Sequence, residues 1–109
     1  MRQNRSMSLA IYLLTCANNE EAEAIADALL DKRLIACAKT IPINSKFRWK
    51  DNIDSAMEIL MLLESREDKF QEIENCVRKL HSHETFVLVA LPLLLASKGV
   101  NEWIDKNLE

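Results

Sequence analysis

The chain alternates between dense apolar runs and segments whose apolar residues recur at helical spacing. Leu9 to Thr15 (LAIYLLT) is a continuous apolar run with one β-branched residue and one aromatic, which predicts a central strand buried on both faces. Asn18 and Asn19 follow as N-cap residues, and Asn18 with Glu21 has capping-box spacing. Ala22, Ile25, Ala26, Leu29 and Leu30 then fall on one helical face. Acidic Glu20, Glu21 and Glu23 open this helix, and basic Lys32 and Arg33 close it, as the helix dipole favours. Ile35 to Trp49 is extended in character, with a bend, bulge or edge position expected at Pro42. Lys50-Asp51-Asn52 reads as a turn and Ile53 to Ser65 as the returning strand of a long antiparallel hairpin. In that strand Met57, Ile59, Met61 and Leu63 share one face, and Leu60 and Leu62 the other. Ser65 is expected to cap a second helix, with Phe70, Ile73, Val77 and Leu80 as its buried stripe. Phe86 to Leu95 reads as a last strand, and Gly99 opens a closing helix with Val100, Trp103, Ile104 and Leu108 on one side.

The order β-α-β-β-α-β plus a final helix predicts an α+β, ferredoxin-like sandwich. Two split βαβ units with right-handed crossovers place two helices on one face of an antiparallel sheet. Strands that are apolar on both faces then need a cover that one layer of helices does not give. A partner subunit is expected on the open face.

Composition narrows the function. The 109 residues suit one domain, taken as 9–109 behind a disordered leader at 1–8, and 49% are hydrophobic. A formal charge of −3 excludes the basic stripe of a nucleic-acid binder. One glycine leaves nothing for a phosphate-cradling loop. Arg2 and Arg5 before Leu9 to Leu14 and Cys16 faintly resemble a lipoprotein signal, but the apolar stretch is short and Thr15 stands where a small residue is wanted. Phe86 to Ala96 is too short to span a bilayer. Three widely spaced cysteines without a CxxC point to reduced thiols in a cytoplasmic protein.

His81, His83 and Glu84 form the one cluster with metal-ligand character. On extended backbone the two imidazoles share a face. In a ferredoxin-like sheet the first and last strands are antiparallel neighbours, so the topology carries Cys16 towards these histidines. Imidazole suits copper, zinc or nickel, and a thiolate favours Cu(I). The expected metal set is therefore Cys16, His81 and His83, for copper or another divalent metal. The competing reading of the histidines is as polar groups complementing a helix C-terminus. Cys37, facing the sheet interior with Ile35, and Cys76, beside Val77, read as small core residues. A Cys–His catalytic pair would need an oxyanion hole and an orienting group, for which no motif is present, so no enzyme is expected. Phe47, Arg48 and Trp49, with Lys46 and Lys50, cluster near the hairpin tip. They read as subunit-interface anchors in preference to a base-stacking platform, and Trp103 as the anchor of the last helix. Glu20, Glu21, Glu23, Glu72 and Glu74 read as solvated helix faces.

In order along the chain, IACAKTIPINSKFRW (Ile35 to Trp49) resembles the pattern "LAACVNIIPG..S.YRW" of the CutA family. Glu58 to Leu63 (EILMLL) is similar to its "E..L.I", and Leu80 to Pro92 (LHSHETFVLVALP) aligns with "LHPYEVPEIIALP" without a gap. Trp103-Ile104 matches the closing "WL", and Thr15-Cys16-Ala17 stands where "TTA" is usual. The resemblance implies a homotrimer in which long hairpins pair across subunits, tolerance to copper and other divalent cations, and an architecture like that of the PII signalling proteins. It also implies copper ligands from the strand-one Cys and the His of "HPY". Ile43 and Asp51 replace glycines of the pattern, and Glu64 replaces a lysine. Ser82, His83, Phe86 and Val87 replace Pro, Tyr, Pro and Glu, so much of the polar lining near the subunit cleft, where Glu84 remains, is altered. A regulatory or scaffold trimer of the PII kind, holding a metabolite or a protein in that cleft, is the alternative reading. An RNA-recognition module would need aromatics on its central strands, where only Tyr12 is found, and an acylphosphatase-like enzyme would need a glycine-bearing phosphate loop after strand one.

Overall fold

A computed structural model describes residues 8–109. The leader expected at 1–8 falls, except for Ser8, outside the described residues. The elements are β1 (Leu9–Cys16), α1 (Asn19–Asp31), β2 (Cys37–Trp49), β3 (Asn52–Arg66), α2 (Phe70–Leu80), β4 (Leu88–Pro92) and α3 (Val100–Asn107), with a 3₁₀ turn (Glu67–Lys69) leading into α2. One antiparallel sheet runs in the order β2-β3-β1-β4. This is the expected ferredoxin-like arrangement.

Alternation along β1 makes the two layers. Ala10, Tyr12, Leu14 and Cys16 point to the helices and are buried with Met61 and Leu63 of β3, Ile25 and Leu29 of α1, and Ile73 and Val77 of α2. Tyr12 stacks on Phe70 with centroids 5.9 Å apart, and its hydroxyl donates to the Arg66 carbonyl at 2.7 Å. The other parity carries Ile11, Leu13, Leu60, Leu62, Val89 and Leu91 on the open face. There α3 covers only one end, through Ile104 and Leu108 against Leu9. Val89 and Leu91 stay exposed.

β1 reaches β3 from Arg66 only as far as Ile59, whereas β2 pairs with β3 all the way to Trp49↔Asn52. Residues 43–58 therefore project as a bare two-stranded arm, and the molecule is 52 Å long against 26 × 22 Å in cross-section. Lys50 and Asp51 close the arm with φ of 49° and 69°, the double left-handed conformation of a type I′ turn.

Five expectations change. Leu80, expected on the buried stripe of α2, is 44% exposed, and the stripe is Ile73, Cys76 and Val77. Ser65 does not cap α2. β3 continues through it to meet the start of β1, and its hydroxyl donates to the Leu34 carbonyl at 2.6 Å. The last strand is shorter than Phe86 to Leu95, because its ladder with β1 runs only from Leu88 to Pro92. Phe86 turns aside to stack on His81, and Arg78 sits over its ring. Cys37 shares the open face with its cross-strand partner Glu64 and is only half-buried, while Ile35 is core. Trp103 is 44% exposed, and α3 is anchored by Ile104 instead.

Candidate metal centre

The site begins with the N-terminus of α1. Asn18 is extended, and its Oδ1 accepts from the Glu21 amide at 2.8 Å. That cap fixes Glu21 in the first turn and aims its carboxylate back over the end of β1. There Oε1 accepts from the Ala17 amide at 2.8 Å and Oε2 from the Ser82 amide at 2.5 Å. The second wall comes from the end of α2, where His81 leaves the helix in extended conformation. Its Nε2 lies 2.8 Å from the Thr15 carbonyl, and its Nδ1 accepts from the His83 amide at 3.0 Å. An acceptor role at Nδ1 makes Nε2–H the donor to Thr15.

Cys16 completes the cluster from the helix face of β1. Its Sγ lies 3.5 Å from the Met61 thioether. Donor atoms of Cys16, Glu21 and His81 all fall within 4.8 Å of one another. The side chains of Glu21 and His81 are 8% and 1% exposed, and Cys16 is fully buried. Burial, reinforced by the carboxylates of Glu21 and Glu58, pushes the Cys16 thiol up to about 12. Burial alone would raise Glu21 too. The Ala17 amide, the Ser82 hydroxyl and amide, and the His81 ring outweigh it and hold this carboxyl below its usual range.

Of the expected ligands, Cys16 and His81 come together as the strand topology requires. His83 lies outside the cluster: its ring centroid is 5.4 Å from that of His81, and its side chain faces the cleft beneath the hairpin arm. Glu84 lines the same cleft with Phe47 and Trp49. Arg48 alternates to the opposite face of β2, as does Lys46, while Lys50 stays with the aromatics, its Nζ 5.7 Å from the Trp49 ring centroid. Sequence reasoning missed Glu21 and Met61. The capping-box spacing from Asn18 was the signal that Glu21 folds back onto its own helix terminus. The sequence places Met61 only on one strand face with Met57, Ile59 and Leu63, and the register Leu14↔Met61 and Cys16↔Ile59 brings its sulfur beside Cys16.

The sequence profile of the CutA1 divalent ion tolerance protein family matches residues 10–107. The chain is 39% identical over 99 residues to the divalent-cation tolerance protein CutA of Archaeoglobus fulgidus, spanning 91% of this chain and 96% of that one. It is 32% identical over 103 residues to human Protein CutA, covering 94% of this chain but 58% of the human protein. The structure superposes on that of the periplasmic divalent cation tolerance protein CutA from Archaeoglobus fulgidus with a TM-score of 0.90 at 37% identity, over 93% of this chain and 99% of the other. CutA1 from Oryza sativa, at 20% identity, shares the fold with a TM-score of 0.91 over 97% of this chain and 98% of that one. With a matching profile over almost its whole length and a relative of this similarity, the chain belongs to the CutA1 divalent ion tolerance family.

Proposed function

We propose that this chain is a metal-binding module for divalent-cation tolerance, working as a homotrimer, whose metal is copper taken as Cu(I). The observation that carries the reading is the convergence of the Cys16 thiol, the His81 imidazole and the Glu21 carboxylate, with the Met61 thioether against the thiol. Thiolate and thioether donors select Cu(I), and an imidazole completes such a set. The cost of binding is legible in the same geometry. A metal must displace the thiol proton held to about 12, and must take His81 Nε2 from the Thr15 carbonyl. Ions that bind oxygen donors weakly and reversibly do not meet that cost, and a thiolate-seeking ion does.

The reading is of a binding protein and not an enzyme, because a fully buried thiol raised this far is a poor nucleophile. A cytoplasmic location is proposed with it, on three thiols that form no disulfide. Among the described residues no helix is long and apolar enough to cross a membrane. No nucleic acid is proposed as a partner, since Lys46 and Arg48 of the arm lie on the face opposite Phe47 and Trp49.

A second reading rests on a different fact: both His81 nitrogens and both Glu21 oxygens already have hydrogen-bond partners. In it the cluster is a latch that holds the 81–87 loop, and the trimer is a regulatory or scaffold protein of the PII kind. One experiment separates the two. The reduced protein is titrated with Cu(I) against a chromogenic chelator, beside Cys16→Ser with His81→Ala, and beside His83→Ala alone. The metal reading expects one ion per chain, at least tenfold weaker binding in the double variant and little change in His83→Ala. Equal binding by all three proteins would overturn it and leave the latch.

A further inference from the structure

His81 meets the backbone through both ring nitrogens, and each meets a different kind of group. Nε2 lies 2.8 Å from the Thr15 carbonyl, an acceptor, and Nδ1 lies 3.0 Å from the His83 amide, a donor. An amide N–H cannot accept, so Nδ1 carries no proton and the ring rests as its Nε2–H tautomer. Nε2 is also the nitrogen on the side of the thiol cluster, 3.7 Å from Glu21 Oε1. The segment that follows is held at two further points. The Ser82 amide donates to Glu21 Oε2, and Arg78 Nη1 donates to the Glu84 carbonyl at 3.1 Å. Between those points the Ser82–His83 peptide is held by its contact with Nδ1.

Ligation through Nε2 reverses this arrangement. An imidazole that gives one nitrogen to a cation carries its proton on the other, which normally donates to a carbonyl or carboxylate. His81 must therefore move its ring proton from Nε2 to Nδ1 through solvent, with no net change in ring charge, while the Cys16 thiol proton leaves to solvent. Nδ1–H then faces the His83 N–H, donor against donor, on a side chain that is 1% exposed. Donors buried without acceptors are costly, so the contact cannot persist. The group that relieves it belongs to the same peptide. Turned over, the Ser82–His83 unit presents the Ser82 carbonyl to Nδ1–H in place of the amide. The holds on either side, at the Ser82 amide and the Glu84 carbonyl, belong to other peptide units and are left in place.

We propose that His81 is a tautomer switch: when it gives Nε2 to Cu(I), the Ser82–His83 peptide turns over, and occupancy of the buried site is carried to the surface segment 83–85. The proposal rests on the metal reading and adds a regulation to that site. His83 and Thr85 line the cleft beneath the arm with Phe47 and Trp49, so the change is delivered to the side from which the arm projects. The test uses the full chain, reduced and labelled with ¹⁵N and ¹³C, in its solution assembly, before and after one equivalent of Cu(I) per chain. Long-range ¹⁵N–¹H spectra of the imidazole read the tautomer, and the coupling between the His83 amide nitrogen and His81 Nδ1 reads the hydrogen bond. The metal-free chain should show Nε2–H and that coupling. The loaded chain should show Nδ1–H, loss of the coupling and a moved Ser82 carbonyl resonance. His83→Ala keeps the amide and should behave identically, which separates the backbone from the His83 side chain. A chain that takes up no Cu(I) overturns the metal reading and the switch together. A chain that binds one Cu(I) yet keeps Nε2–H and the coupling overturns the switch alone and leaves the metal reading standing. A metal-free ring with Nδ1–H, an unmoved Ser82 carbonyl resonance in the loaded chain, or a coupling that His83→Ala retains on loading would each overturn the switch as well.

Discussion

At the scale of single residues, the most informative group is one whose role the sequence disguised. Glu21 looks like any acidic residue of a helix first turn, and two neighbours of the same type, Glu20 and Glu23, flank it. Its burial follows from two things a linear reading does not combine: a cap that turns it inward and an 81–87 loop that closes over it. Cys16 and His81 were legible, because antiparallel pairing of the first and last strands follows from the element order. Glu21→Gln should cost about 2 kcal/mol in urea unfolding at neutral pH, since it replaces one charged acceptor by an NH₂ that faces an amide donor. The pH dependence has a definite sign. The folded carboxyl lies below its ordinary value of 4.5, so its contribution is complete above that value and is lost as pH falls through the depressed one. The stabilities of wild type and Glu21→Gln should therefore converge below pH 4.5; a constant gap would show that the contacts do not depend on charge. Cys16 gives a second check. As a buried thiol raised to about 12, it should resist iodoacetamide in the native state, while half-buried Cys37 is alkylated first, as peptide mapping would record. Early labelling of Cys16 would contradict its placement.

At the scale of elements, type and order were readable and the ends were not. Periodicity identified the helices because each buries one stripe, and the hairpin because a turn separates two apolar runs. What stops a strand, however, is its neighbour. β3 continues past Ser65 because β1 begins opposite Arg66, and β4 ends at Pro92 because β1 has run out. Past that point the Leu93 amide still reaches the Leu9 carbonyl at 3.1 Å, and the chain then leaves the sheet. Glu64, read as a reversed charge against the family pattern, turns out to be matched within the sheet, with Lys39 Nζ 2.9 Å from its carboxylate. The hairpin tip offers a test of local strain. Lys50 and Asp51 hold left-handed backbone that lysine disfavours and that aspartate adopts less readily than glycine, and the family pattern carries a glycine at the tip. Replacing the pair by Lys50→Asn with Asp51→Gly supplies the residues preferred in a type I′ turn and should raise stability by roughly 0.5–1 kcal/mol. An unchanged thermal midpoint would mean that contacts at the arm already offset the strain.

At the scale of the whole molecule, two features left over from one chain point the same way. The arm beyond Ile59 is a two-stranded ribbon, which is marginal in water alone. It nevertheless carries Trp49, Ile53 and Met57 at 59%, 69% and 74% exposure. The open face of the sheet shows Val89 and Leu91 beside half-buried Leu13 and Leu62, and the segment after β4 leaves Leu94 and Leu95 almost wholly exposed. Patches this continuous mark surfaces that another chain covers. The doubly apolar strands in the sequence foreshadowed them, since one helical layer hides only one face. The proposed homotrimer supplies the cover, and it makes a sharp prediction. In a monomer, Val89→Glu with Leu91→Glu would be a pair of surface changes worth less than about 0.5 kcal/mol each. In the trimer the same changes bury carboxylates against apolar partners without compensation. Sedimentation equilibrium should give the wild type three times the 12.5 kDa chain mass and the double variant a smaller species. A wild type that sediments at one chain mass would remove the trimer. A variant that stays trimeric would move the interface off this face and onto the arm.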